Sequence, residues 1–297
     1  MLFQRGFPHP RPVPMYFRIH CELDYALQGP ATFLFALRCL QTGGQSVLAE
    51  SLVFSPFVDV EEFSLTGGMN RFSRIQTWNP GLIKICYQAQ VTTSFRIVPA
   101  SSLHTTGLGN LNPDAIPFLF PSRYCQSDRL RQFALELFGH WNSSHAIATG
   151  VSDWIFENIA YVGGSSGENC SAIDTLSRRQ GVCRDFAHLG IALCRALSVP
   201  ARYATCYAYQ LYPADFHACF EVFIDGWWYL FDPTRLAPLN GLVRIATGRD
   251  AADAAVCTTF GNPESIGSAA RCECSSLDFL PITHRILSHE NQAFALL

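Results

Sequence analysis

From Tyr16 the chain alternates: Tyr16, Arg18, His20 and Glu22 are interleaved with Phe17, Ile19, Cys21 and Leu23. A period of two predicts a strand with one buried face. Further strand-like runs cover Ala31–Leu40, Val47–Phe54, Glu61–Thr66, Phe72–Trp78 and Gly81–Tyr87, the last running on to Ile97. Gly43-Gly44, Gly67-Gly68 and Asn79-Pro80-Gly81 punctuate them. Short strands between turn signals predict a β-sandwich-like domain over residues 15–98. Prolines at 8, 10, 12 and 14 set residues 1–14 apart as a disordered tail. In 99–127 Pro, Gly, Ser and Thr break every period, which predicts a linker. Helical spacing follows: Ser127 or Asp128 caps a run with Leu130, Phe133, Ala134 and Leu137 on one face. Ile147–Ile159 and Ala172–Arg178 are further helices, and GGSSGEN at 163–169 is a mobile-looking loop.

The strongest helical signal is RQGVCRDFAHLGIALCRAL, Arg179 to Leu197. Val182, Phe186, Leu189, Leu193 and Leu197 recur at the spacing of one buried face. Gly181 gives the backbone a tight entry, and Asp185 lies in the first turn, where a carboxylate suits the helix dipole. Cys183 thus sits where unsatisfied N–H groups favour a thiolate. His188, five residues on and about 140° round the helix, is badly placed to reach that thiol.

Downstream, FHACFEVFIDGWWYLFDPT (Phe216 to Thr234) carries two aromatic and β-branched runs around Asp225-Gly226, a two-residue hairpin signal. That turn pairs Ile224 with Trp227, Val222 with Tyr229 and Cys219 with Asp232. His217, Cys219, Glu221 and Phe223 then share a face with Asp232, Leu230 and Trp228. His217 and Asp232 are diagonal neighbours there, close enough for the carboxylate to hold the imidazole and fix its tautomer. Arg202 to Tyr209 predicts a buried strand; Tyr203, Tyr207 and Tyr209 are core aromatics, and Tyr207 is also a candidate hydroxyl for an oxyanion. GRDAAD at 248–253 predicts a capped short helix, with Arg249, Asp250 and Asp253 tying it to the core.

GVCRDFAHL, PARY (Pro200 to Tyr203), FHACFEV and WYLFDPT together resemble the transglutaminase-like superfamily. PSRYCQSD (Pro121 to Asp128) and GRDAAD resemble the bacterial two-domain group described as transglutaminase-like cysteine proteases. The resemblance implies an α+β protein, a β-rich N-terminal domain followed by a transglutaminase/papain-like cysteine-protease core. It implies Cys183 as nucleophile, His217 as general base and Asp232 as the orienting acid. The core is expected over 128–262, with 263–297 a C-terminal tail. One departure is Cys219, where Trp is frequent in the family. The implied reaction is amide acyl transfer through a thioester, with water as acceptor (peptidase or amidase) or an amine (transglutaminase). A binding module on the same fold is the non-enzymatic alternative. The backbone N–H of Cys183 is one expected oxyanion donor and Gln180 a candidate for the second; Trp228 is a candidate wall of the site.

Composition narrows this further. Hydrophobic residues make up 48% and charged ones 15% of 297 residues, ample for two cores, and the net charge of −3 gives no reason to expect nucleic acid or membrane as partner. The expected partner is a peptide or protein amide. Residues 1–20 lack the apolar run of a secretory signal, so the twelve cysteines are expected reduced, in a cytoplasmic setting. No calcium loop is present, and Cys272, Cys274, His284 and His289 have poor zinc spacing, so no cofactor is expected.

Overall fold

The alternation that begins at Met15 continues for thirteen residues as β1 (Met15–Leu27), its Phe17, Ile19, Cys21 and Leu23 all buried. A computed structural model describes residues 14–65 and 68–297. Residues 1–13, most of the expected proline-rich tail, and 66–67, at the expected end of the Glu61–Thr66 strand, lie outside it. After β1 come β2 (Ala31–Phe35), β3 (Gln45–Ser55), β4 (Glu61–Phe63), β5 (Phe72–Thr77), β6 (Gly81–Thr93) and β7 (Phe95–Pro99). The second half opens with α1 (Arg131–Phe138), α2 (Ser144–Asn158), β8 (Ala160–Tyr161), α3 (Ala172–Arg178) and β9 (Gln180–Gly181). It continues with α4 (Cys183–Ala196), β10 (Ala201–Ala208), β11 (His217–Ile224), β12 (Trp227–Phe231), β13 (Leu242–Gly248) and α5 (Ala251–Ala254). The chain closes with β14 (Cys257–Phe260), β15 (Pro263–Cys274), α6 (His284–Glu290) and β16 (Gln292–Leu296).

The protein is α+β and two-domain. The N-terminal domain holds two four-stranded sheets, ordered β15-β1-β6-β3 and β14-β2-β5-β4. Two of those strands come from the far end of the chain. The residues expected as a tail after 262 instead pair with β1, and Cys257–Phe260 pairs with β2. The physical reason is edge satisfaction: β1 and β2 would otherwise present unpaired N–H and C=O groups. The last strand, β16, likewise pairs with β7. Ala31–Leu40 does not remain a strand throughout. Beyond Phe35 its N–H groups turn to the second domain: Ala36 donates to Val256 C=O and Leu40 to Arg244 C=O, both at 2.9 Å. α1 begins at Arg131, not at Ser127, because 127–129 form a 3-10 turn whose Ser127 C=O is taken by Leu130 N–H. Among the described residues no helix is long and apolar enough to cross a membrane.

The second domain is a sheet, β12-β11-β10-β13, with α4 against it. The β11–β12 turn has positive φ at both Asp225 (49°) and Gly226 (83°), as a type I′ turn requires. Its register pairs Ile224 with Trp227 and Val222 with Tyr229. α4 presses so closely on β11 that a Cβ at Gly190 would lie 2.5 Å from Phe220 Cε1. Gly190→Ala is therefore expected to cost about 1–3 kcal/mol by overpacking. Urea denaturation checks this: the midpoint should fall with the slope unchanged.

Candidate active site

Cys183 is the first residue of α4, half-buried, with Val182 as the N-cap in extended conformation. Valine has no side-chain acceptor to cap with, so the first turn is held from inside. Asp185 Oδ2 accepts from Val182 N–H at 2.9 Å, and Asp185 is wholly buried. Gly181 makes room for it: a Cβ there would come 2.7 Å from Asp185 Cβ. The loop at 163–169, expected to be mobile, is tied to the same point. Ser166 Oγ donates to Asp185 Oδ1 at 2.9 Å, and Arg184 Nη2 donates to Ser166 Oγ at 2.8 Å and to Gly167 C=O.

His217 opens β11 and Asp232 follows the end of β12. His217 Nε2 meets Asp232 Oδ2 at 2.8 Å, and both side chains are almost fully buried. Asp232 Oδ1 accepts from Thr234 N–H at 3.0 Å and from Thr234 Oγ1 at 2.7 Å. The carboxylate is thus oriented from two sides. The Cys183 thiol is near enough to the ring to act on its protonation, and Nδ1 has no hydrogen-bond partner among the described residues. Burial works to lower the imidazole's pKa, but Asp232 and the thiol outweigh it, and His217 is held well above its ordinary value. A histidine beside a thiol at a helix N-terminus is an arrangement in which the imidazole can take the thiol's proton.

The other sequence candidates fall elsewhere. Tyr207 is fully buried and its hydroxyl donates to Leu37 C=O at 2.8 Å, a contact between the two domains, so it is not free for an oxyanion. Trp228 lies toward the turn end of the hairpin, opposite Phe223, with Arg202 4.1 Å over its ring and Phe118 at its edge; it does not wall the site. Gln180 is in β9, half-buried and three residues before the thiol. His188 is a structural residue. It stacks on Tyr124 at 5.0 Å, its Nε2 accepts from Ala251 N–H at 3.1 Å, and burial with Arg184 and Arg195 keeps it neutral.

Sequence reasoning missed two residues. Thr234 was visible only as the last letter of WYLFDPT. Tyr161 stands in β8, paired in parallel with β9 so that it lies opposite Gly181. Burial and the nearby thiol push its pKa up to about 12, so it stays a proton donor at neutral pH. The only signal for it was aromatic character in a two-residue strand, too short to predict.

The chain matches the family model of the transglutaminase-like superfamily over residues 131–233, and that of the bacterial transglutaminase N-terminal domain over 15–113. It is similar to the crystal structure described as "a Putative Cysteine Protease from Cytophaga hutchinsonii". The two share 45% identity over 97% of this chain and 99% of that one, with a TM-score of 0.93. It is also 31% identical over 111 residues to an uncharacterized protein of Mycobacterium leprae, a match spanning 34% of this chain and 39% of that relative's length.

The His217–Asp232 pair makes stability depend on pH. A histidine whose folded pKa is raised stabilises fully below its unfolded value, about 6.5, and loses that contribution as pH rises through the folded value. Asp232→Asn should therefore destabilise most near and below about pH 6, with the gap to the native protein narrowing at higher pH. Urea titrations between about pH 5.5 and pH 9 would measure this; a gap that stays constant contradicts the ion-pair assignment.

Proposed function

The chain belongs to the transglutaminase-like superfamily, and from that footing we propose that it is a cysteine peptidase or amidase acting through a Cys183-His217-Asp232 triad. The observation that carries this reading is the 2.8 Å His217–Asp232 pair buried beside a thiol at a helix N-terminus. His217 takes the thiol proton, and Cys183 Sγ attacks an amide carbonyl carbon. The imidazolium returns the proton to the departing nitrogen as the C–N bond breaks, leaving a thioester. Water then attacks with His217 as base, the C–S bond breaks, and the carboxylic product leaves the regenerated thiol. We assign the Cys183 N–H and the Tyr161 hydroxyl, which is near the thiol, as the donors to the developing oxyanion. Water is favoured over an amine as acceptor because Tyr161, near the thiol, is 46% exposed, which opens that side of the site to solvent.

The other thiols provide an internal control. Burial pushes Cys21, Cys39 and Cys257 up to about 12, and Cys272 well above its ordinary value. Iodoacetamide at about pH 6 should label Cys183 selectively, and His217→Ala should move that labelling to higher pH. Equal reactivity in native and denatured chains, unchanged by His217→Ala, would sink the catalytic reading and favour a binding module.

Tyr161→Phe separates oxyanion stabilisation from thiol activation. Alkylation develops no oxyanion, so labelling should be unchanged. Acylation by p-nitrophenyl acetate, followed by nitrophenolate release, should slow by about 10²-fold. Equal losses in both assays would make Tyr161 a structural residue.

A further inference from the structure

On the outward face of the first sheet, β1 and β6 bring together three side chains that the acyl-transfer site does not use. His20 and Glu22 are two residues apart on β1 and share a face. Cys86 on β6 lies directly opposite Glu22. One ligand atom from each, an imidazole nitrogen, a carboxylate oxygen and the thiol sulfur, lies within 4.8 Å of the other two. His20 Nε2 is 3.3 Å from Glu22 Oε1, while its Nδ1 is 3.3 Å from the Gln88 side-chain amide. The Gln88 amide nitrogen donates to Nδ1, so the ring proton lies on Nε2 toward Glu22; a metal at Nε2 requires that proton to move to Nδ1 and the Gln88 amide to turn its oxygen to accept from it.

We propose that His20, Glu22 and Cys86 form a site for a zinc-type dication on the N-terminal domain. Ligand atoms of a tetrahedral zinc, with bonds of roughly 2.0–2.3 Å, lie about 3.3–3.8 Å apart. Closing from 4.8 Å asks for a shift of about 1 Å, within side-chain adjustment on two strands whose register is continuous from end to end. Thiolate with imidazole selects zinc or cobalt over magnesium or calcium. Carboxylate and thiolate together supply two negative charges, matching the dication. The competing contact is weak: Lys84 Nζ reaches Glu22 Oε2 at 3.1 Å, but with side chains 48% and 37% exposed. An ion pair so exposed is screened by water and contributes little. Arg271, opposite His20 on β15, is another cation beside it. On binding, the Cys86 S–H bond breaks, its proton passes to buffer, and a metal–sulfur bond forms. The fourth position remains open.

Cobalt(II) titration of the full chain carrying Cys183→Ala, which removes the competing thiol of the triad, tests the site. One equivalent should bring up a thiolate-to-cobalt absorption band that zinc abolishes. Cys86→Ser should remove the band, His20→Ala should weaken cobalt binding at least about tenfold, and Cys274→Ser should leave it intact. A band that survives Cys86→Ser, or none at one equivalent, overturns the proposal. Should Cys86→Ser fold poorly, the Cys183→Ala chain itself decides: zinc must protect Cys86 from alkylation, and no protection overturns the site equally.

Discussion

A guanidinium taken out of water costs several kcal/mol unless its N–H groups are matched, and Arg195, 3% exposed, is matched by three separate stretches of chain. Its Nε and Nη2 donate to Ala201 C=O at 2.9 and 2.8 Å. Its Nη1 reaches Phe120 C=O and Ser122 Oγ, and Nη2 reaches Arg249 C=O. Arg195 lies in the last turn of α4, whose first residue is Cys183. Clamping that end fixes where a helix about 20 Å long delivers its thiol. The same clamp gathers the two signature segments outside the triad. Tyr124 N–H donates to Asp250 Oδ2 at 2.9 Å, and Tyr124 stacks on His188. PSRYCQSD and GRDAAD thus brace the helix and do not line the site.

At the other end of α4, two carboxylates divide the work. Asp185 spends both oxygens on structure, one on the Val182 N–H and one on Ser166. Asp232 spends one oxygen on Thr234 and gives the other to His217. Both are buried, yet of the two only Asp232 is hydrogen-bonded to an imidazole. The difference comes from position: Asp185 is inside the first turn and meets backbone, whereas Asp232 leaves a strand beside the imidazole. The buried Glu221, two turns of the pleat from His217, is kept from the site by Arg202 at 2.7 Å and Arg244 at 3.6 Å.

The N-terminal domain is bound to this core by more than a linker. Tyr87 stacks on Tyr207 across the boundary, at 6.1 Å, and Gln45 Nε2 donates to Arg244 C=O at 2.8 Å. Strands β14 and β15 leave the core and complete both N-terminal sheets. The chain therefore threads between the domains three times, and neither N-terminal sheet is complete without a strand from the far end of the chain. The face of β1 and β6 that carries His20, Glu22 and Cys86 points away from this boundary, which leaves it accessible.

Local pattern sufficed wherever short-range geometry decides. The period along Val182–Leu197 specified α4, and Asp225-Gly226 specified the hairpin register, because positive φ at two adjacent residues admits one turn type. From that register His217 and Asp232 follow as neighbours with no knowledge of the rest. What the sequence left open were contacts between residues far apart along it. Nothing local marks residues 257–274 as partners of β1 and β2, since strand pairing is chosen by which edges remain unpaired once both domains are packed. Tyr207 looked like Tyr161 by chemistry, but packing sent the first to a carbonyl of the other domain and the second to the mouth of α4. An aromatic hydroxyl finds its partner in tertiary space, and a single chain pattern holds no record of which partner that is.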